Sequence, residues 1–192
     1  MAKGAKFNMF TSGLRKLLTS AVLVSSIFSI STPSHSAEDL LPIKIPTYKN
    51  SEFHVKDPLE CMALNLYHEA RGETVKGLEA IAHVVMTRSK DSRFKNDVCS
   101  VVYYKGWSKR YKKWIAHFSW TLDGRSDKVY NKESYIKSYI ISLQVMSGIY
   151  DEDPTWGATH YHRDDVNPLW IKDRGMVLVA HIGRHKFYRW NK

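Results

Sequence analysis

The chain has 192 residues, 43% hydrophobic, 12% aromatic and 25% charged, with 29 Lys+Arg against 19 Asp+Glu and a formal net charge of +10. These fractions exclude a chain disordered throughout, and ten Gly and two Cys exclude a collagen-like repeat and a disulfide-framework miniprotein. The length suits one domain with a sizeable core.

Lys3, Lys6, Arg15 and Lys16 precede the apolar run 17–30, which gives way to the small, polar residues 31–37. A basic start, a short apolar stretch and a small-residue exit predict a secretory signal peptide over 1–37, cleaved after Ser36 or Ala37. The apolar run is shorter than the about 20 residues a membrane span needs, so no stable membrane insertion is expected after cleavage. Without residues 1–37 the chain keeps 25 Lys+Arg against 19 Asp+Glu, a net +6. That charge suits an acidic polymer or a membrane surface. Export also places Cys61 and Cys99 in an oxidising compartment. A disulfide between them is the first expectation and two buried free thiols the second.

Residues 38–56, rich in Pro, Lys and Ser, read as a linker, and 57–192 as the folded domain. Asp57-Pro58-Leu59-Glu60 is a helix start, with a capping Asp, Pro at the first helical position and Glu at the third. Leu59, Met62, Ala63, Leu66 and Ala70 follow on one helical face, and Gly72 ends the helix. Thr74 caps a second helix carrying Leu78, Ile81, Ala82, Val85 and Met86. Asn131 to Met146 gives a third, stopped by Gly148. Beyond Pro154 the period changes: 158–162, 177–182 and 184–190 read as strands, the last two pairing across Gly183. Helices first and a small antiparallel sheet last make an α+β domain.

Glu69 lies roughly 70° from the centre of the first helix's apolar face, at the border of core and solvent. Partial desolvation there raises a carboxyl pKa, as a general acid near neutral pH requires. An ordinary boundary Glu paired with Arg71 or Lys76 would occupy the same position. His68-Glu69 does not begin a zinc protease motif, because the second His would stand at position 72, which is Gly. His160, His162, His181 and His185 could in principle collect a metal, but His at i, i+2 on a strand is a weak signal and no cysteine accompanies it, so neither metal nor cofactor is expected.

The string Asn65-Leu-Tyr-His-Glu-Ala-Arg-Gly-Glu73, followed by Gly77-Leu-Glu-Ala-Ile-Ala-His-Val-Val-Met-Thr-Arg88, resembles the opening of the cell-wall hydrolases related to spore-cortex-lytic enzymes, the SleB/CwlJ group. Asp97-Val-Cys-Ser-Val-Val-Tyr103, Phe118-Ser-Trp120, Asp153-Pro-Thr-Trp-Gly-Ala-Thr-His-Tyr-His162, Pro168-Leu-Trp170 and Ile182-Gly-Arg-His-Lys-Phe-Tyr188 resemble later blocks in the same order. The resemblance implies a lysozyme-like fold, peptidoglycan glycan strands as substrate, and Glu69 as the catalytic acid. Glu73 is a weaker candidate for that role, being equally suited to cap the second helix or pair with Arg71.

Glycoside hydrolysis ordinarily uses two carboxylates, and only Asp123, Asp164 and Asp165 offer a second, each in a turn-rich context. A lytic transglycosylase needs one, because the muramic acid 6-hydroxyl displaces the leaving group, and the resemblance favours that mechanism too. Hydrolysis by a muramidase or glucosaminidase is the alternative, and a non-catalytic wall-binding module the other. Sugar sites combine aromatic platforms with hydrogen-bonding groups, which makes Glu73, Ser119, Trp120, Tyr161, His162, Trp170, His185 and Tyr188 the expected substrate-binding residues. Core packing is the competing role for the aromatics. Lys105-Gly-Trp-Ser-Lys-Arg-Tyr-Lys-Lys-Trp114 interleaves five basic residues with three aromatics. In isolation it suits single-stranded nucleic acid. In an exported protein it suits a solvated face, or a wall polymer bearing peptide carboxylates, so no nucleic-acid partner is expected. Periplasm or cell wall is the expected location, with full secretion the alternative.

Overall fold

The computed structural model describes residues 57–109 and 111–191. The expected signal peptide and linker lie outside the described residues. Among the described residues, four α-helices, α1 (Pro58–Ala70), α2 (Val75–Lys90), α3 (Val98–Val102) and α4 (Lys132–Met146), surround one core. Two small sheets complete the α+β arrangement. Strands β1 (Lys105–Ser108) and β2 (Lys113–Ala116) form an antiparallel hairpin. Strands β3 (His160–Arg163), β4 (Met176–Ile182) and β5 (His185–Trp190) form an antiparallel sheet in the order β3-β5-β4.

The helix starts are those the sequence specifies. Asp57 accepts from the Leu59 amide, Thr74 from Gly77 and Asn131 from Ser134, each satisfying a donor that the first helical turn leaves orphaned. The packing of α1 departs from the expected single face. Every residue from Cys61 to Tyr67 is at most 2% exposed, including Leu64, Asn65 and Tyr67, which lie off the apolar stripe. The cause is that α2, α3 and α4 all pack on this helix, so it is covered all round. The Tyr67 hydroxyl accepts from the Tyr130 and Asn131 amides at 3.1 Å each, tying α1 to the start of α4.

Cys61 of α1 and Cys99 of α3 form a disulfide, with Cα atoms 5.3 Å apart. In the three-stranded sheet, β4 and β5 turn at Gly183, as expected, and β4 carries an irregularity between Leu178 and Ala180. Strand β3 begins at His160, not Ala158. The preceding turn runs further, because the Asp153 carboxylate holds the amides of Thr155 and Gly157 at 2.8 and 2.7 Å. The 105–114 segment, expected as a solvated face or a wall-polymer contact, falls in the β1–β2 hairpin. Among the described residues, no helix is long and apolar enough to cross a membrane.

Candidate active site

Glu69 occupies the last turn of α1, where the buried helix reaches the sheet. Burial pushes its carboxyl pKa upward, and the Tyr161 hydrogen bond and the Arg88 charge pull it partly back. The Tyr161 hydroxyl donates to Glu69 Oε2 at 3.0 Å. Strand geometry delivers that hydroxyl: Tyr161 pairs with Phe187 of β5, and the fully buried Phe187 ring lies 5.7 Å from the tyrosine ring. Burial first, and the Glu69 charge second, raise the Tyr161 phenol well above its usual value, so it stays a donor at neutral pH.

Arg88, near the end of α2, completes the cluster and was not among the expected site residues. It is 6% exposed, and its Nε donates to the Thr159 carbonyl at 2.7 Å. Its guanidinium carbon lies 5.3 Å from the Phe94 ring centre and 5.2 Å from that of Phe118, close enough for cation–π attraction. Burial lowers its pKa to about 10, which still leaves it charged at neutral pH. Its Nη1 is buried without a hydrogen-bond partner. A signal for it existed in the sequence: Arg88 extends the apolar spacing of Leu78, Ile81 and Val85, and an arginine on a core-facing stripe needs a specific electrostatic reason.

The other expected residues separate into three groups. His162, Trp170 and Tyr188 gather on the sheet face opposite Tyr161, as strand alternation requires. There His162 Nε2 lies 3.1 Å from the Tyr188 hydroxyl, and the Trp170 ring centre is 5.3 Å from that of Tyr188. Glu73 and His185 form a second group. Glu73 is 7% exposed and bonds not to Arg71 but to Arg184, whose Nε donates to Oε1 at 3.0 Å. His185 Nδ1 stands 3.7 Å from the same oxygen, and burial lowers the imidazole pKa.

Trp120 stands in a third place, beside His68, and Ser119 precedes it in the chain. Ser119 is exposed, whereas Trp120 is 7% exposed and donates from Nε1 to Asn65 Oδ1 at 3.0 Å. The Trp120 indole stacks on His68 with centres 4.4 Å apart. A cavity of about 350 Å³ opens here, lined by His68, Arg71, Trp120, Asp123 and Asp127 among others. A second, of about 320 Å³, shares Trp120 and Asp127 and extends to Lys105. Burial and the neighbouring Asp123 raise the Asp127 pKa. His160 and His162 share a sheet face and both pack against Trp170, His160 also among Phe94 and Trp190 and His162 on Tyr188, whereas His181 stands 3.9 Å from Asp164 and His185 beside Glu73.

The cell wall hydrolase family model matches residues 72–188, more than half of the chain. Glu69 stands three residues before the matched segment. Two solved structures are similar: the catalytic domain of the Bacillus cereus SleB protein and that of the germination-specific lytic transglycosylase SleB from Bacillus anthracis. Each is 25% identical with a TM-score of 0.49, and the match covers 76% of this chain and 95% or 100% of theirs, respectively. No curated protein matches the chain. With 117 consecutive residues, 72–188, accounted for by its model, this chain belongs to the cell wall hydrolase family and is a peptidoglycan-lytic enzyme.

Proposed function

We propose that the enzyme cleaves the MurNAc–GlcNAc backbone of peptidoglycan as a lytic transglycosylase, with Glu69 as both acid and base. The observation that carries this reading is the buried Glu69 carboxyl, raised in pKa and held by the Tyr161 hydroxyl. Protonated Glu69 gives its proton to the glycosidic oxygen as the bond to the muramic acid C1 breaks, leaving an oxocarbenium-like centre. The carboxylate then takes the proton of the 6-hydroxyl as that oxygen attacks C1, closing a 1,6-anhydro ring and restoring the acid. Tyr161 and Arg88 both favour the carboxylate formed in the first half of this cycle. They serve Glu69 and not the sugar cation, which a neighbouring guanidinium would oppose.

The surroundings of the aspartates support one carboxylate over two. Asp164 faces His181 and Asp165 is ion-paired with Arg163. Asp123 lies in the cavity beside His68, a residue that projects away from Glu69. The charged group that acts on Glu69 is a cation, Arg88. Export through residues 1–37 and action in the periplasm or cell wall belong to the same reading, checked by the N-terminal sequence of the mature protein.

The deciding experiment incubates the full chain with purified peptidoglycan and identifies the released fragments by mass spectrometry. Anhydro-muropeptides are expected. Reducing muropeptides would make the enzyme a hydrolase, and retention without release would make it a binding module. Glu69→Gln should lower release at least a thousandfold with an unchanged circular dichroism spectrum. Near-normal release from that variant would remove Glu69 from the mechanism.

A further inference from the structure

We propose that the β1–β2 hairpin is a second holding site for peptidoglycan, separate from the carboxyl that cuts it. The proposal rests on the glycan-cleaving reading above. Trp107 and Trp114 face each other across the hairpin and are 55% and 57% exposed, and Ile115 is 39% exposed. A two-stranded ribbon has little stability to spare, yet this one turns its largest apolar side chains outward. Residues 105–116 hold five basic residues and no acidic one, so the hairpin presents concentrated positive charge around two indoles.

The position of this face relative to the cavities names the occupant. Side chains alternate along a strand, so Lys105 shares its face with Trp107. Lys105 lines the cavity that also holds Trp120 and Asp127. Those two residues line the adjoining cavity as well, whose wall includes His68 of α1. One surface therefore runs from His68 in the last turn of α1 past Trp120 and Lys105 to the two indoles. A polymer lying in the cavities continues onto the hairpin. Peptidoglycan has the required chemistry at that point: sugar rings with apolar faces for the indoles, and stem-peptide carboxylates for Lys109, Lys112 and Lys113. The two rings meet at 77° with centres 6.0 Å apart, a geometry that receives one sugar against each ring and not a flat pair on a shared platform. An anionic lipid surface would attract the same charge but would have no reason to follow the cavities.

Two variants test this, Trp107→Ala/Trp114→Ala and Lys109→Ala/Lys112→Ala/Lys113→Ala, each confirmed as folded by its thermal melt. Sedimentation with intact peptidoglycan sacculi, performed in the Glu69→Gln background so that nothing is cut, should show at least tenfold weaker retention for both. The lysine variant should lose most of its deficit at 1 M salt, where charge attraction is screened over about 3 Å. Cleavage of a short soluble glycan without peptides should stay within twofold of the unmodified enzyme. Unchanged retention on sacculi would overturn the proposal. So would retention lost only on phosphatidylglycerol vesicles, which would assign the hairpin to lipid. If the unmodified chain releases no fragments while the retention difference persists, the cleavage reading fails and the holding site stands.

Discussion

Glu69 and Tyr161 make a proton-handling pair whose sign can be worked through. Burial raises the Glu69 pKa, and the Tyr161 hydrogen bond is the largest influence pulling it down. The acid must be protonated at the start of the reaction, so kcat/KM should fall as pH rises through its pKa. Tyr161→Phe removes the lowering hydrogen bond and leaves the burial. The descending limb should therefore move upward. The maximum rate should fall about tenfold, since the carboxylate formed in the first step loses a donor. A limb that stays in place in a pH–rate profile would show that the hydroxyl does not act on Glu69. The border position of Glu69 was legible from helical spacing because it is a property of one helix. Its partners were not, because Arg88 and Tyr161 approach from α2 and β3, and nothing local in the sequence encodes that convergence. The same holds for Glu73, whose expected neighbour Arg71 gives way to Arg184, more than a hundred residues away.

Helices α1, α2 and α4 start where their caps say, because capping is local chemistry between a side chain and amides two or three residues on. The β1–β2 hairpin was not readable in this way: its two strands are four residues each, and the outward positions carry Trp107 and Trp114 as well as lysine, so the apolar-inward, polar-outward alternation of a half-buried strand is missing. The β4–β5 hairpin was readable from its apolar and aromatic runs flanking Gly183. That turn has a second role, since Gly183 sits at φ +58° against the Glu73 carboxylate and the next residue, Arg184, bonds to it. A Cβ at this position would meet both the left-handed backbone penalty and Glu73 Oε2. Gly183→Ala should destabilise the fold by about 2 kcal/mol, read as a lower midpoint in urea unfolding. A midpoint equal to that of the unmodified chain would mean that the Glu73–Arg184 contact yields freely, and that the start of α2 is not tied to the sheet through this turn.

Family membership, charge and the cysteines concern the chain as a whole. The net +10 of the sequence is unevenly distributed: four basic residues precede position 37, and five more stand in the ten residues 105–114. Only a minority of the charge is spread over the remaining surface, so ionic strength should act chiefly through the hairpin. The disulfide acts through the core. Cys61 is fully buried in α1, the helix on which α2, α3 and α4 all pack, and its bond to Cys99 closes a loop spanning 38 positions that contains all of α2. Cross-linking a loop of that size removes conformational freedom from the unfolded chain and stabilises the fold by about 3–4 kcal/mol. Reduction under mild denaturation, with the two free thiols counted by titration, should lower the thermal midpoint by about 10 °C. The Cys61→Ala/Cys99→Ala variant should match the reduced protein to within the small packing loss of its sulfur atoms. Equal midpoints for the oxidised and reduced chains would mean that the unfolded loop is already constrained without the bond. The fold would then depend on the α1 core alone, and enzyme produced in a reducing compartment would be as stable as the oxidised form.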